Sequence, residues 1–131
     1  MKTYTLLEND TINYHGITLY RIRYVDGTLG GYIENERNLE HGDARVYGDA
    51  RVYGDALVSG NARVSENARV SENASIFGNT EVYGNARVYG NAWVLGNARV
   101  LGNACVYGRA EVYGNACVSG NARVSGNARV Y

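Results

Sequence analysis

Arginine recurs in the sequence at steps of eighteen residues: Arg51, Arg69, Arg87 and, past Cys105, Arg123. Tyr53 and Tyr89 stand two places after Arg51 and Arg87, and Tyr107 two places after Cys105. A guanidinium fork matches phosphate or carboxylate, and guanidiniums in a row repel unless an anion or water lies between them. A tyrosine ring beside such a group can sandwich a nucleobase. The chemistry predicted for Arg51, Arg69, Arg87, Arg123, Tyr53, Tyr89 and Tyr107 is therefore binding of a small anionic, nucleotide-type ligand. The same ladder also suits a plain solvated face, since exposed strands need charge to stay apart. A second candidate is His41, in Glu40-His41-Gly42-Asp43, where a carboxylate could orient an imidazole as a base. It reads equally as a surface histidine at a turn. No histidine follows it, there is no phosphate-loop motif, and the expectation is no metal and no cofactor.

Those side chains can converge only if the backbone repeats, and the composition points that way. The chain has 131 residues, with 17 Gly, 12 Tyr, one Phe and no Pro. Lys and Arg total 13 against 13 Asp and Glu. A neutral chain lacks the broad positive field of non-specific nucleic-acid binders, so nucleic acid is not expected as a partner. No apolar run approaches a membrane span, and MKTYTLLEND has no signal-peptide core. Two cysteines, Cys105 and Cys117, are too few for a disulfide scaffold. The expected setting is cytoplasmic, with no membrane partner.

From Asp43 onward the chain repeats D/N-A-x-V-x-G, with the large apolar residue at Val46, Val52 and every sixth position to Val130, Ile76 included. A period of six cannot hold one helical face. The A-x-V segment alternates instead, as a very short strand with Ala and Val facing inward. Gly and Asn after it tolerate the left-handed angles of a corner. Three such sides close a coil of eighteen residues, which is the arginine spacing.

This pattern resembles the hexapeptide-repeat, left-handed parallel β-helix family. Val46 with Ala50, Val52 with Ala56, and Val88 with Ala92 meet its demand for an aliphatic residue followed four places later by a small one. The resemblance covers about two thirds of the chain. It implies an all-β solenoid and commonly a parallel homotrimer. Enzymes of the family resemble one another as acyltransferases that use a histidine near a subunit boundary; here that role would fall to His41. No loop interrupts the hexads, so a non-enzymatic protein is the first expectation. The stretch from Leu29 to Gly42 is similar to the N-terminal part of small phage and prophage hexapeptide-repeat proteins. That likeness implies a phage origin and adds a blocked host protein as an alternative partner.

Residues 1–42 should form a β-hairpin cap and lead-in, and residues 43–131 a β-helix of about five coils. In the cap, Thr3 to Glu8 and Ile17 to Val25 read as strands around His15-Gly16, and Asp26-Gly27 reads as a turn. Tyr20, Ile22 and Tyr24 should share one face, opposite Arg21 and Arg23. Taking every third hexad sorts the outward residues onto three faces. The first carries Arg45, Arg63, Glu81, Arg99 and Cys117, and the second carries the arginine series. The third carries Leu57, Ser75, Trp93, Glu111 and Arg129, flanked by Phe77, Leu95, Tyr113 and Tyr131. An apolar stripe on a small rod marks an association surface, so Leu57, Phe77, Trp93, Leu95, Tyr113 and Tyr131 are the predicted oligomer interface. The last coil, at Arg129-Val130-Tyr131, offers a second place for copies to meet, end to end. A rigid structural rod assembled through these surfaces is the alternative to a ligand-binding protein.

Overall fold

The computed structural model describes residues 2–131. Fifteen two-residue strands, β4 (Arg45–Val46) to β18 (Arg129–Val130), recur every six residues. They form parallel ladders in three sheets: β4-β7-β10-β13-β16, β5-β8-β11-β14-β17 and β6-β9-β12-β15-β18. The pairing step is eighteen residues throughout, as in Arg51↔Arg69 and Arg69↔Arg87. The expected parallel β-solenoid and its three faces are thus present, hexad by hexad.

Inside, the large residue of each strand stacks on its counterpart one coil away, and Val46 to Val112 are fully buried together with Ala50 to Ala110. Backbone groups are satisfied between coils: Arg51 N–H donates to Ala68 O at 3.0 Å and Tyr53 N–H to Val70 O at 3.0 Å. Corner asparagines add side-chain ladders, Asn61 to Asn79 at 3.0 Å and Asn85 to Asn103 at 3.2 Å. At the corners successive backbones lie almost in contact. A Cβ on Gly78 (φ +77°) would come within 2.8 Å of Gly96 O, so both the angle and the space require glycine there.

The N-terminal segment is a hairpin of β1 (Tyr4–Tyr14), which runs six residues beyond the Glu8 end read from the sequence, and β2 (Ile17–Tyr24), which matches the expected strand to within one residue. His15 (φ 51°) and Gly16 (φ 83°) make its tight turn. After the turn at Asp26-Gly27, β3 (Leu29–Ile33) pairs antiparallel with β2 and parallel with β5. The hairpin is therefore continuous with the second sheet, whose order is β1-β2-β3-β5-β8-β11-β14-β17. Of the β2 side chains expected on one face, Ile22 and Tyr24 are buried, but Tyr20 is only half-buried and Leu19 is buried instead. An irregularity in the β2–β3 pairing between Arg21 and Arg23 breaks the simple alternation.

The lead-in is itself a coil. Ile33 pairs with Val52 and Leu39 bridges Val58, each a step of nineteen residues instead of eighteen (52 − 33 and 58 − 39). The extra residue lies between Leu39 and Val46, which are seven apart where hexads need six. Five coils run from residue 43, and this offset one precedes them, for about six turns. A short 3-10 turn, Glu36–Asn38, makes its corner between Ile33 and Leu39. The buried Asn38 amide donates to Ala56 O at 2.8 Å and to Gly54 O at 3.1 Å.

Candidate functional site

The second sheet brings Arg51, Arg69, Arg87, Cys105 and Arg123 into one outward column, neighbour to neighbour. None of the four arginines has a carboxylate within ion-pair distance among the described residues. Elsewhere Arg99 reaches Glu81 at 3.5 Å, Arg129 reaches Glu111 at 3.6 Å and Arg37 reaches Asp55 at 3.5 Å. The column is therefore a one-sign stripe on a neutral molecule. Tyr89 and Tyr107 stack beside it, 5.0 Å apart and 3° from parallel. Burial, then the neighbouring Cys105 and Tyr107, raise the Tyr89 hydroxyl above the usual phenol range.

The upper half of the column holds a residue that the sequence did not single out. The hairpin tip curls over the second face, helped by the break in β1–β2 pairing between Leu7 and Thr11. The Tyr14 ring lies under two guanidiniums, 4.9 Å from that of Arg51 and 5.2 Å from that of Arg69. Arg69 Nη1 donates to the Tyr14 hydroxyl at 2.9 Å. Tyr53 meets the Tyr14 ring edge-on at 5.6 Å, and burial raises its hydroxyl as well. The ring expected to stack a ligand beside Arg51 is thus already in contact with the protein's own tyrosine. No local signal in β1 gives its distance to hexads more than thirty-five residues away, which is why Tyr14 escaped the sequence reading.

On the other flank of the same arginines runs an open trough of about 340 Å³, lined by Asp49, Arg51, Asn67, Arg69, Asn85 and Arg87. A trough of about 430 Å³ on the first face, with Arg45, Arg63 and Glu81, mixes both signs of charge.

His41 is a fastener. Its Nδ1 accepts the Thr3 backbone N–H at 3.0 Å, its Nε2 sits 3.0 Å from Glu36 Oε1, and its ring stacks on Tyr4 at 4.1 Å. The acceptor role at Nδ1 assigns the proton to Nε2, which then donates to Glu36. That bond, followed by the charge of Lys2, holds the Glu36 carboxyl below the usual range. Neither ring nitrogen keeps a free position for a substrate. Cys105 and Cys117 lie on different sheets, as their spacing implied. Among the described residues no group of three or more His, Cys, Asp or Glu is placed to hold a metal ion.

The third face carries the apolar stripe. Leu57 is 38 % exposed and Trp93 47 %, and Trp93 meets Phe77 edge-on at 6.2 Å. Tyr113 and Tyr131 stack at 5.2 Å, while Leu95 is half-buried at its corner. Among the described residues no helix is long and apolar enough to cross a membrane.

Comparison with protein families finds the YdcK beta solenoid repeat in four stretches: residues 44–60, 56–72, 82–96 and 122–131. All lie within the hexads. No curated protein is similar enough to match the chain.

Proposed function

We propose that this chain, a hexapeptide-repeat-like β-solenoid, is a non-enzymatic binding protein that holds a small anionic, nucleotide-type ligand on its second face. The observation that carries this reading is the column of Arg51, Arg69, Arg87 and Arg123, in register and, among the described residues, without a carboxylate at ion-pair distance. Forming such a column of like charge is costly unless an anion or water screens it, and a rigid sheet cannot splay it apart. Tyr89 and Tyr107 supply a flat aromatic surface at its lower end. Native mass spectrometry of protein purified from cells without refolding tests the proposal. A retained small mass that disappears in Arg69→Ala and Arg87→Ala supports it. If calorimetry finds no binding of nucleoside di- or triphosphates to the purified protein, the ligand reading is wrong.

The third face favours a second role, a rod that assembles with copies of itself, commonly as a trimer by the family resemblance. Exposed Leu57 and Trp93 beside Phe77 carry that reading. Ligand binding at subunit boundaries would join the two roles, because copies meeting along the third face would wall in the corners of the other two.

A further inference from the structure

We infer that the β1–β2 hairpin tip preorganises the arginine column, and that the trough beside it takes a compact oligophosphate, the class of a di- or triphosphate group. The inference rests on the anion-binding reading above and adds the ligand's size and the residue that prepares the site. A free arginine side chain has many rotamers, and much of that freedom is lost when it grips an anion. Here Tyr14 has already ordered two of them. The guanidinium carbons of Arg51 and Arg69 stand 4.9 Å and 5.2 Å from the centre of its ring, and a guanidinium, with five N–H donors, held there still has donors to offer an anion. Arg69 spends one donor on the Tyr14 hydroxyl. On the flank away from Tyr14, Arg51, Arg69 and Arg87 line the trough with Asn67 and Asn85.

The surroundings limit the length of the anion. Arg51 to Arg87 spans two coil steps, about 9.6 Å at the usual strand spacing. Asp49 lies at the Arg51 end of the trough and repels negative charge there. Below Arg87 the column is interrupted by Cys105. Across the downstream corner lies the hairpin tip. A long polyanion running along the sheet would meet an acidic group, a neutral gap and a strap. A short phosphate chain centred on Arg69 and Arg87 meets none of these.

Calorimetry with inorganic tripolyphosphate on the full chain tests this, using wild type, Tyr14→Phe and Tyr14→Leu. Leucine keeps an apolar hairpin tip but lacks the ring face and the hydroxyl, and circular dichroism with the unliganded melting temperature checks the fold of each variant. The ordering cost of one released side chain, Arg69, predicts about fivefold weaker binding for Tyr14→Leu. Tyr14→Phe should stay within about threefold of wild type, since the ring face remains. Unchanged or tighter binding by Tyr14→Leu would overturn the preorganising role, and a ten-nucleotide single strand outcompeting tripolyphosphate would overturn the compact-ligand assignment. If wild type binds neither anion, the failure lies with the binding function itself.

Discussion

Thr80 occupies the inward position that is alanine in each of the other hexads. It is fully buried, and its hydroxyl has no hydrogen-bond partner among the described residues. Leaving a buried hydroxyl unpaired costs about 1–3 kcal/mol, against little for a methyl group of the same shape. Thr80→Val should therefore stabilise the protein by about 1 kcal/mol, read as a higher urea midpoint at an unchanged slope. Gly78 gives the opposite case one corner away. Gly78→Ala sets a Cβ against Gly96 O, a backbone atom that cannot turn aside, and places alanine at φ +77°. The left-handed angle alone costs about 1–2 kcal/mol, so the urea midpoint should fall by at least that much. Not every corner is so strict, because Glu66 and Glu72 adopt φ 61°. The pattern in the sequence identified each of these positions as inward or corner. Only the packing shows which hydroxyl is orphaned and which corner is too tight for a side chain.

At the scale of elements, two tyrosine hydroxyls join the hairpin to the coils, one to the lead-in coil and one to β4. Tyr4 donates to Leu39 O at 2.6 Å, and Tyr24 accepts the Val46 N–H at 2.7 Å while donating to Val46 O at 3.1 Å. Burial pushes the Tyr24 hydroxyl up to about 12 from the ordinary tyrosine value of 10.0, and burial raises Tyr4 as well. Ionisation is thus easier in the unfolded chain. The stabilisation is fully present below pH 10 and is lost as pH rises toward 12, where the folded protein holds more protons than the unfolded one. Alkaline titration followed by circular dichroism should show unfolding through that window, with a shallower pH dependence in Tyr24→Phe. At neutral pH the same variant leaves both backbone groups of Val46 short of a partner, a loss of about 1–3 kcal/mol. The three sheets were legible because fifteen equal steps fix the register, and one slipped hexad would have moved every later residue to another face. The cap was legible only as strands and turns. Its bulge, its curl over the second face and the Tyr14 contact depend on distances between segments, which no local pattern encodes. His41 illustrates the same limit: the sequence placed it beside Glu40, while the fold sets it against Thr3, Tyr4 and Glu36.

For the whole molecule, the three faces divide the possible roles by their side chains alone. The third exposes Leu57, Trp93 and Tyr131, the second carries the arginine column, and the first mixes Arg45 and Arg63 with Glu81. We propose that copies associate through the third. Trp93→Arg should lower the mass measured by light scattering coupled to gel filtration toward that of a single chain, with the circular dichroism spectrum unchanged. A mass identical to wild type would exclude Trp93 from the interface. The one-sided charge of the second face carries a separate expectation. Anion binding there should weaken steeply with added salt, as exposed charges are screened within about 10 Å at 0.1 M.

The eighteen-residue pairing step gives the chain something like a reading frame. Residues 91–108 form one frame, from one Asn-Ala corner to the equivalent corner a full coil later. Excising them should shorten the rod by a storey and leave Arg51, Arg69 and Arg87 aligned. Removing only six residues between Arg69 and Arg87 would keep every valine inside while carrying Arg87 around to another face. The core tolerates changes in units of six, whereas the alignment of the outer columns tolerates only units of eighteen. A family of rods built this way could lengthen or shorten freely in evolution, provided that length changed by whole storeys wherever a column had acquired a task.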